Sequence, residues 1–84
     1  MKLRKEIQWN REAQPFGFLV DPRVGEVHGL NETSNALLEA LQDGCEESEL
    51  CAILRARFDV GEIAAQQDVQ AFVDVLRRND LVEF

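Results

Sequence analysis

The chain has 84 residues, enough for one domain and too few for two. Its hydrophobic fraction of 45% supports a thin but real core and argues against a disordered tail. Nine basic residues against sixteen acidic give a net charge of -7, the wrong sign for a protein that must displace counterions from nucleic-acid phosphates.

From the N-terminus, MKLRKEIQW has no signal-peptide core, and residues 1–5 are expected to be disordered. Ile7-Gln8-Trp9 is a short candidate strand. Phe16, Phe18 and Val20 alternate with Gly17, Leu19 and Asp21, a period of two that places both rings and the valine on one face of a second strand. Asp21-Pro22-Arg23 breaks it, and Gly25 tolerates the angles that close a turn. Glu26 to Leu30 reads as a third strand, completing an antiparallel meander that must pack on helices to be stable.

The chain changes character at Asn31. Asn31 is a good N-cap, with Glu32 at the positive end of the helix dipole. Leu37, Leu38 and Leu41 form the first helix's apolar stripe, and Asp43-Gly44 stops it. A second helix starts near Glu46 or Ser48 and carries Leu50, Ile53, Leu54 and Phe58 at helical spacing. Asp59-Val60-Gly61 turns into a third helix with Ala65, Val69, Phe72, Val73 and Leu76 on one side. Asn79-Asp80 ends it, and Leu81, Val82 and Phe84 are expected to fold back onto the core. The predicted class is α+β, a winged-helix-like domain over residues 1–84 with a three-stranded antiparallel sheet followed by three helices.

Little in this sequence does chemistry. The lone histidine, His28, lies on a strand with no nucleophile assigned to it, and the carboxylates form no pair in an apolar setting. Cys45 and Cys51 are too few for a common metal site and read as free thiols of a reducing compartment. No glycine loop cradles a phosphate, and no apolar run spans a membrane. The expectation is a cytoplasmic, non-enzymatic binding domain with no cofactor, no nucleic-acid partner and no membrane contact. Recognition has two candidate elements. If the third strand lies at the sheet edge, Val27, His28, Gly29 and Leu30 offer free backbone groups to an extended peptide. One flank of the third helix, Asp68, Ala71 and Val75, would form the opposite wall. A free edge also invites self-pairing, so a homodimer is expected as an alternative state. A winged-helix transcription regulator is the competing reading, permitted by helix order but opposed by charge: Gln66 to Leu76 carries no Lys or Arg.

The run Val27-His28-Gly29-Leu30-Asn31-Glu32-Thr33 resembles the strand-to-helix junction of the PqqD-like family. Leu37 to Leu41, Asp43-Gly44 and Leu50 to Val60 resemble that family's first two helices. Asp68 to Leu76, followed by Leu81-Val82, resembles its last helix and apolar tail. The likeness implies a recognition element for ribosomally made natural products. Such a module binds the leader of a precursor peptide as an added strand and presents it to a maturase, often a radical S-adenosylmethionine enzyme. Carried over, Val27, His28, Gly29 and Leu30 would be the pairing strand, and Asp68, Ala71, Val75 and Arg78 the helix wall. The Tyr-Pro-Glu-Gly segment characteristic of that family's pyrroloquinoline-quinone member is replaced here by Asp21-Pro22-Arg23-Val24-Gly25, which implies a stand-alone member of a different pathway.

Overall fold

A computed structural model describes residues 1–84. In chain order it contains β1 (Lys2–Leu3), β2 (Gln8–Asn10), β3 (Phe18–Asp21), β4 (Glu26–Gly29), α1 (Glu32–Asp43), α2 (Glu47–Arg57), α3 (Glu62–Arg78) and β5 (Val82–Glu83). Strands β2-β3-β4 form one antiparallel sheet in that order. The expected α+β order of three meander strands and three helices is therefore observed. A second, two-stranded sheet pairs β1 with β5.

The first correction concerns the N-terminus. Residues 1–5 are ordered, because Leu3 and Ile7 are buried core residues and Lys2–Leu3 pairs with Val82–Glu83. The Cys45 N–H donates to the Met1 carbonyl at 2.8 Å, and the Arg4 N–H donates to the Leu81 carbonyl at 2.9 Å. Burial of two large aliphatic side chains outweighs the entropy of ordering a short terminal segment.

The structure also settles which face of β3 is inward. Trp9 pairs with Leu19 and Leu19 with His28, so these three share the face turned to the helices. Leu19 and Asp21 are buried, while Phe18 and Val20 lie on the other face, half-buried, and Phe16 is exposed. A period of two defines two faces without saying which is inward, and a one-residue shift exchanges them. Asp21 helps settle the choice: its carboxylate accepts from the Arg23 backbone N–H, Nε and Nη2 at 2.9–3.0 Å. Arg23 in turn donates to the Asp80 carbonyl at 2.7 Å, as does Arg4 at 3.0 Å. The β3–β4 turn, the N-terminal segment and the end of α3 are thus tied at one corner.

Gly17 sets the approach to β3. Its φ is +86°, and an added Cβ would lie 2.5 Å from the Asn10 carbonyl oxygen, so only glycine fits. Its own carbonyl accepts from Leu30 N–H at 3.2 Å, extending the β3–β4 ladder by one pair.

Asn31 caps α1 as expected, in a reciprocal capping box: Ser34 N–H donates to Asn31 Oδ1 at 2.8 Å, and Asn31 N–H donates to Ser34 Oγ at 3.0 Å. Gly44, at φ +93°, ends the helix. The apolar stripes of the three helices meet in one core with Leu19, Leu81 and Val82. Phe84 departs from expectation. It is 72% exposed, with the Arg77 guanidinium 4.7 Å above its ring. Pairing of β5 with β1 turns Val82 inward and leaves the terminal ring outside.

Candidate functional site

Strand β4 occupies one edge of the three-stranded sheet. Antiparallel pairs alternate between those that exchange hydrogen bonds and those that do not. The Leu30 N–H bond to Gly17 fixes the phase, so Leu19/His28 and Asp21/Glu26 are the bonded pairs of the register. The peptide groups of His28 and Glu26 are therefore turned toward β3, and those of Val27 and Gly29 toward the free edge. An N–H and a C=O from each of two residues form an unpaired ladder there.

Beside that edge runs a groove of about 520 Å³, within the range of ~300–1,000 Å³ usual for ligand sites. His28, Gly29 and Leu30 form its strand wall; Asp68, Ala71, Phe72 and Val75 form its helix wall. The capped start of α1, with Asn31, Thr33 and Ser34, also borders it. Its floor is core: Leu19, Leu37, Leu54, Leu76 and Leu81. Positions 68, 71, 72 and 75 recur at three to four residues, so they share one face of α3, adjacent to the buried stripe of Val69, Val73 and Leu76. Val75 is 41% exposed, an apolar contact left open to solvent.

Of the eight residues singled out from sequence, six line this groove: His28, Gly29, Leu30, Asp68, Ala71 and Val75. Val27 does not, because alternation turns its side chain to the opposite face, where it is 63% exposed; only its peptide group belongs to the edge. Arg78 lies outside the groove, exposed on the last turn of α3, with Nε donating to the Asp74 carbonyl at 3.4 Å. The border residues Asn31, Thr33 and Ser34 were not anticipated as site residues. The capping signal that places them was visible, but its proximity to α3 is a tertiary fact.

His28 Nε2 is enclosed and makes no hydrogen bond; its nearest acid, Glu26 Oε2, is 3.5 Å away. Arg23, bonded to Asp21, holds that carboxyl below the usual carboxylate range, and burial opposes the effect only in part. Burial, followed by nearby Glu49, pushes the Cys45 thiol up, away from the reactive thiolate. Cys45 and Cys51 are not joined in a disulfide. No group of three or more His, Cys, Asp or Glu side chains is placed to hold a metal ion, and no helix is long and apolar enough to cross a membrane.

A family model described as Coenzyme PQQ synthesis protein D (PqqD) matches residues 17–82. The chain belongs to the PqqD family. The match begins at the strained glycine before β3 and ends in β5, so it spans both walls of the groove. No curated protein matches the chain. Among solved structures, one described as "Lasso peptide synthetase B1 complexed with the leader peptide" is 29% identical, with a TM-score of 0.79. That alignment covers 93% of this chain and 91% of the other. A second, "TbiB1 in Complex with the TbiA(beta) Leader Peptide", has a TM-score of 0.86 at 19% identity, covering 99% and 95% of the two chains. At that identity the second likeness speaks for the PqqD-family fold alone.

Proposed function

We propose that this PqqD-family domain binds the leader segment of a ribosomally made precursor peptide. The leader pairs as an added strand on the free edge of β4, against the groove wall of α3, and is presented to a modifying enzyme. The observation that carries this reading is the vacant ladder of Val27 and Gly29 beside an apolar-floored groove. A backbone ladder gives affinity with little regard to sequence, and a groove alongside it reads the side chains. Support also comes from the similar structure at 29% identity, described as a complex with a leader peptide.

The residues proposed to contact the peptide are Val27 and Gly29 through their main chain, and His28, Leu30, Asp68, Ala71 and Val75 through side chains along the groove. Arg78, one turn beyond Val75, would meet only a peptide that continues past the C-terminal end of α3. The domain supplies no chemistry in this reading and acts in the cytoplasm, where precursor peptides are made. Its partner is a maturase. The radical S-adenosylmethionine class is the finer reading, resting on family resemblance alone. An unoccupied β4 edge can also pair with a second copy, so a peptide-free homodimer would compete for the same lane.

The test is the Val27→Pro variant, titrated calorimetrically with synthetic leader peptides of ribosomally made precursors. Proline is tolerated on an edge strand where the lost N–H faces outward, so the fold should survive. Loss of one outward donor and a clash with the added strand should weaken binding at least about tenfold. Proline at His28 would be a poorer choice, because that N–H belongs to the domain's own sheet. Unchanged affinity in a folded Val27→Pro variant contradicts strand addition.

A further inference from the structure

Among the fifteen residues lining the groove, Asp68 is the one side chain that carries a fixed charge at neutral pH. The rest are apolar, neutral polar, or the single histidine. Asp68 is exposed, lies seven residues into α3 and so sits beyond the first turn where the helix dipole would favour an anion. It has no ion-pair partner in the chain, whereas Glu39, Asp80 and Asp21 are each held by arginines. One helical turn on, Ala71 and Phe72 give a small side chain and an aromatic wall, and a further turn on Val75 leaves apolar surface open. The helix wall therefore presents an unpaired carboxylate next to an apolar recess.

We infer that Asp68 is a specificity determinant: the peptide this groove takes carries an apolar anchor side chain and, displaced from it by about one helical turn along α3, a lysine or arginine that pairs with Asp68. This rests on the leader-peptide reading of the groove and names the side chains that reading leaves open. An extended strand turns alternate side chains to one side, at about 6.6–7 Å per pair of residues, while one turn of helix rises 5.4 Å. A basic residue two positions from the anchor therefore reaches the Asp68 end while the anchor occupies the recess by Ala71 and Phe72. The overall charge of -7 favours the same partner at long range, speeding encounter with a basic segment.

A random twelve-residue peptide library, displayed and sorted at pH 8 on the full-length protein, tests this. The same library is sorted on Asp68→Asn and Asp68→Lys, with circular dichroism confirming that each variant folds, as expected for an exposed position. Wild type should enrich peptides with Lys or Arg two positions from an aliphatic or aromatic residue. Asp68→Asn should lose the basic preference and bind the best wild-type peptide about fivefold more weakly, the upper range for an exposed ion pair. Asp68→Lys should replace the preference by Asp or Glu at the same position. If all three proteins enrich the same basic position, or wild type binds peptides with no charge preference, the role of Asp68 is overturned while peptide binding stands. If wild type enriches no peptide, the leader-peptide reading fails and takes this inference with it.

Discussion

Asp21 shows how one side chain orients a strand that hydrophobicity leaves ambiguous. The residues Phe16, Phe18 and Val20 outweigh Gly17, Leu19 and Asp21 in apolar content, so sequence reasoning assigns the aromatic row a common face and has no reason to turn Asp21 inward. The carboxylate is nonetheless buried, because Arg23 satisfies it with three donors and links it to Asp80. A buried charge is stable only when paired and hydrogen-bonded in this way. Its folded pKa lies below the unfolded value, so the stabilisation is present above about pH 4 and is lost as pH falls through the folded value. Asp21→Asn should therefore unfold at lower denaturant concentration than wild type at pH 7, with a gap that narrows as pH falls below about 4. Denaturant titrations across that range check it; a gap that stays constant would mean the ion pair adds nothing to native stability. The same scale explains Val27, whose peptide group serves the edge while its side chain turns to the opposite face.

The elements were legible where a local signal decides them. Asn31 and Gly44 bracket α1 because a cap and a positive φ are local chemistry, and the 3.6-residue recurrence from Ala65 to Leu76 is carried by α3 alone. Strands β1 and β5 were not legible. Two residues each give no periodicity, and they exist only because the chain ends meet. The groove walls were legible as a strand and a helix flank, but its border at Asn31, Thr33 and Ser34 depends on how α1 leaves β4. That junction makes the cap relevant to both fold and site. Asn31→Ala should cost about 1 kcal/mol of stability. It should also loosen the start of α1, which borders the groove. Thermal unfolding should show a Tm lower by about 4–8 °C for a domain of this size. An unchanged Tm would mean that packing, not the Asn31–Ser34 box, sets the start of α1.

At the scale of the molecule, one thin core supports both the sheet edge and the helix that faces it. The domain order and the acidic field were readable from composition and pattern. Which backbone groups remain free was not, because it depends on the phase of a hydrogen-bond ladder that a single bond, Leu30 to Gly17, reveals. The central claim concerns that ladder: an extended peptide completes β4 through Val27 and Gly29. Amide hydrogen exchange of the isotope-labelled protein, followed by NMR with and without saturating leader peptide, tests it at single residues. The Val27 and Gly29 amides should exchange readily in the free protein and become strongly protected when peptide binds, while His28, already bonded to β3, changes far less. Equal exchange of Val27 and Gly29 in the free and the saturated protein would contradict it.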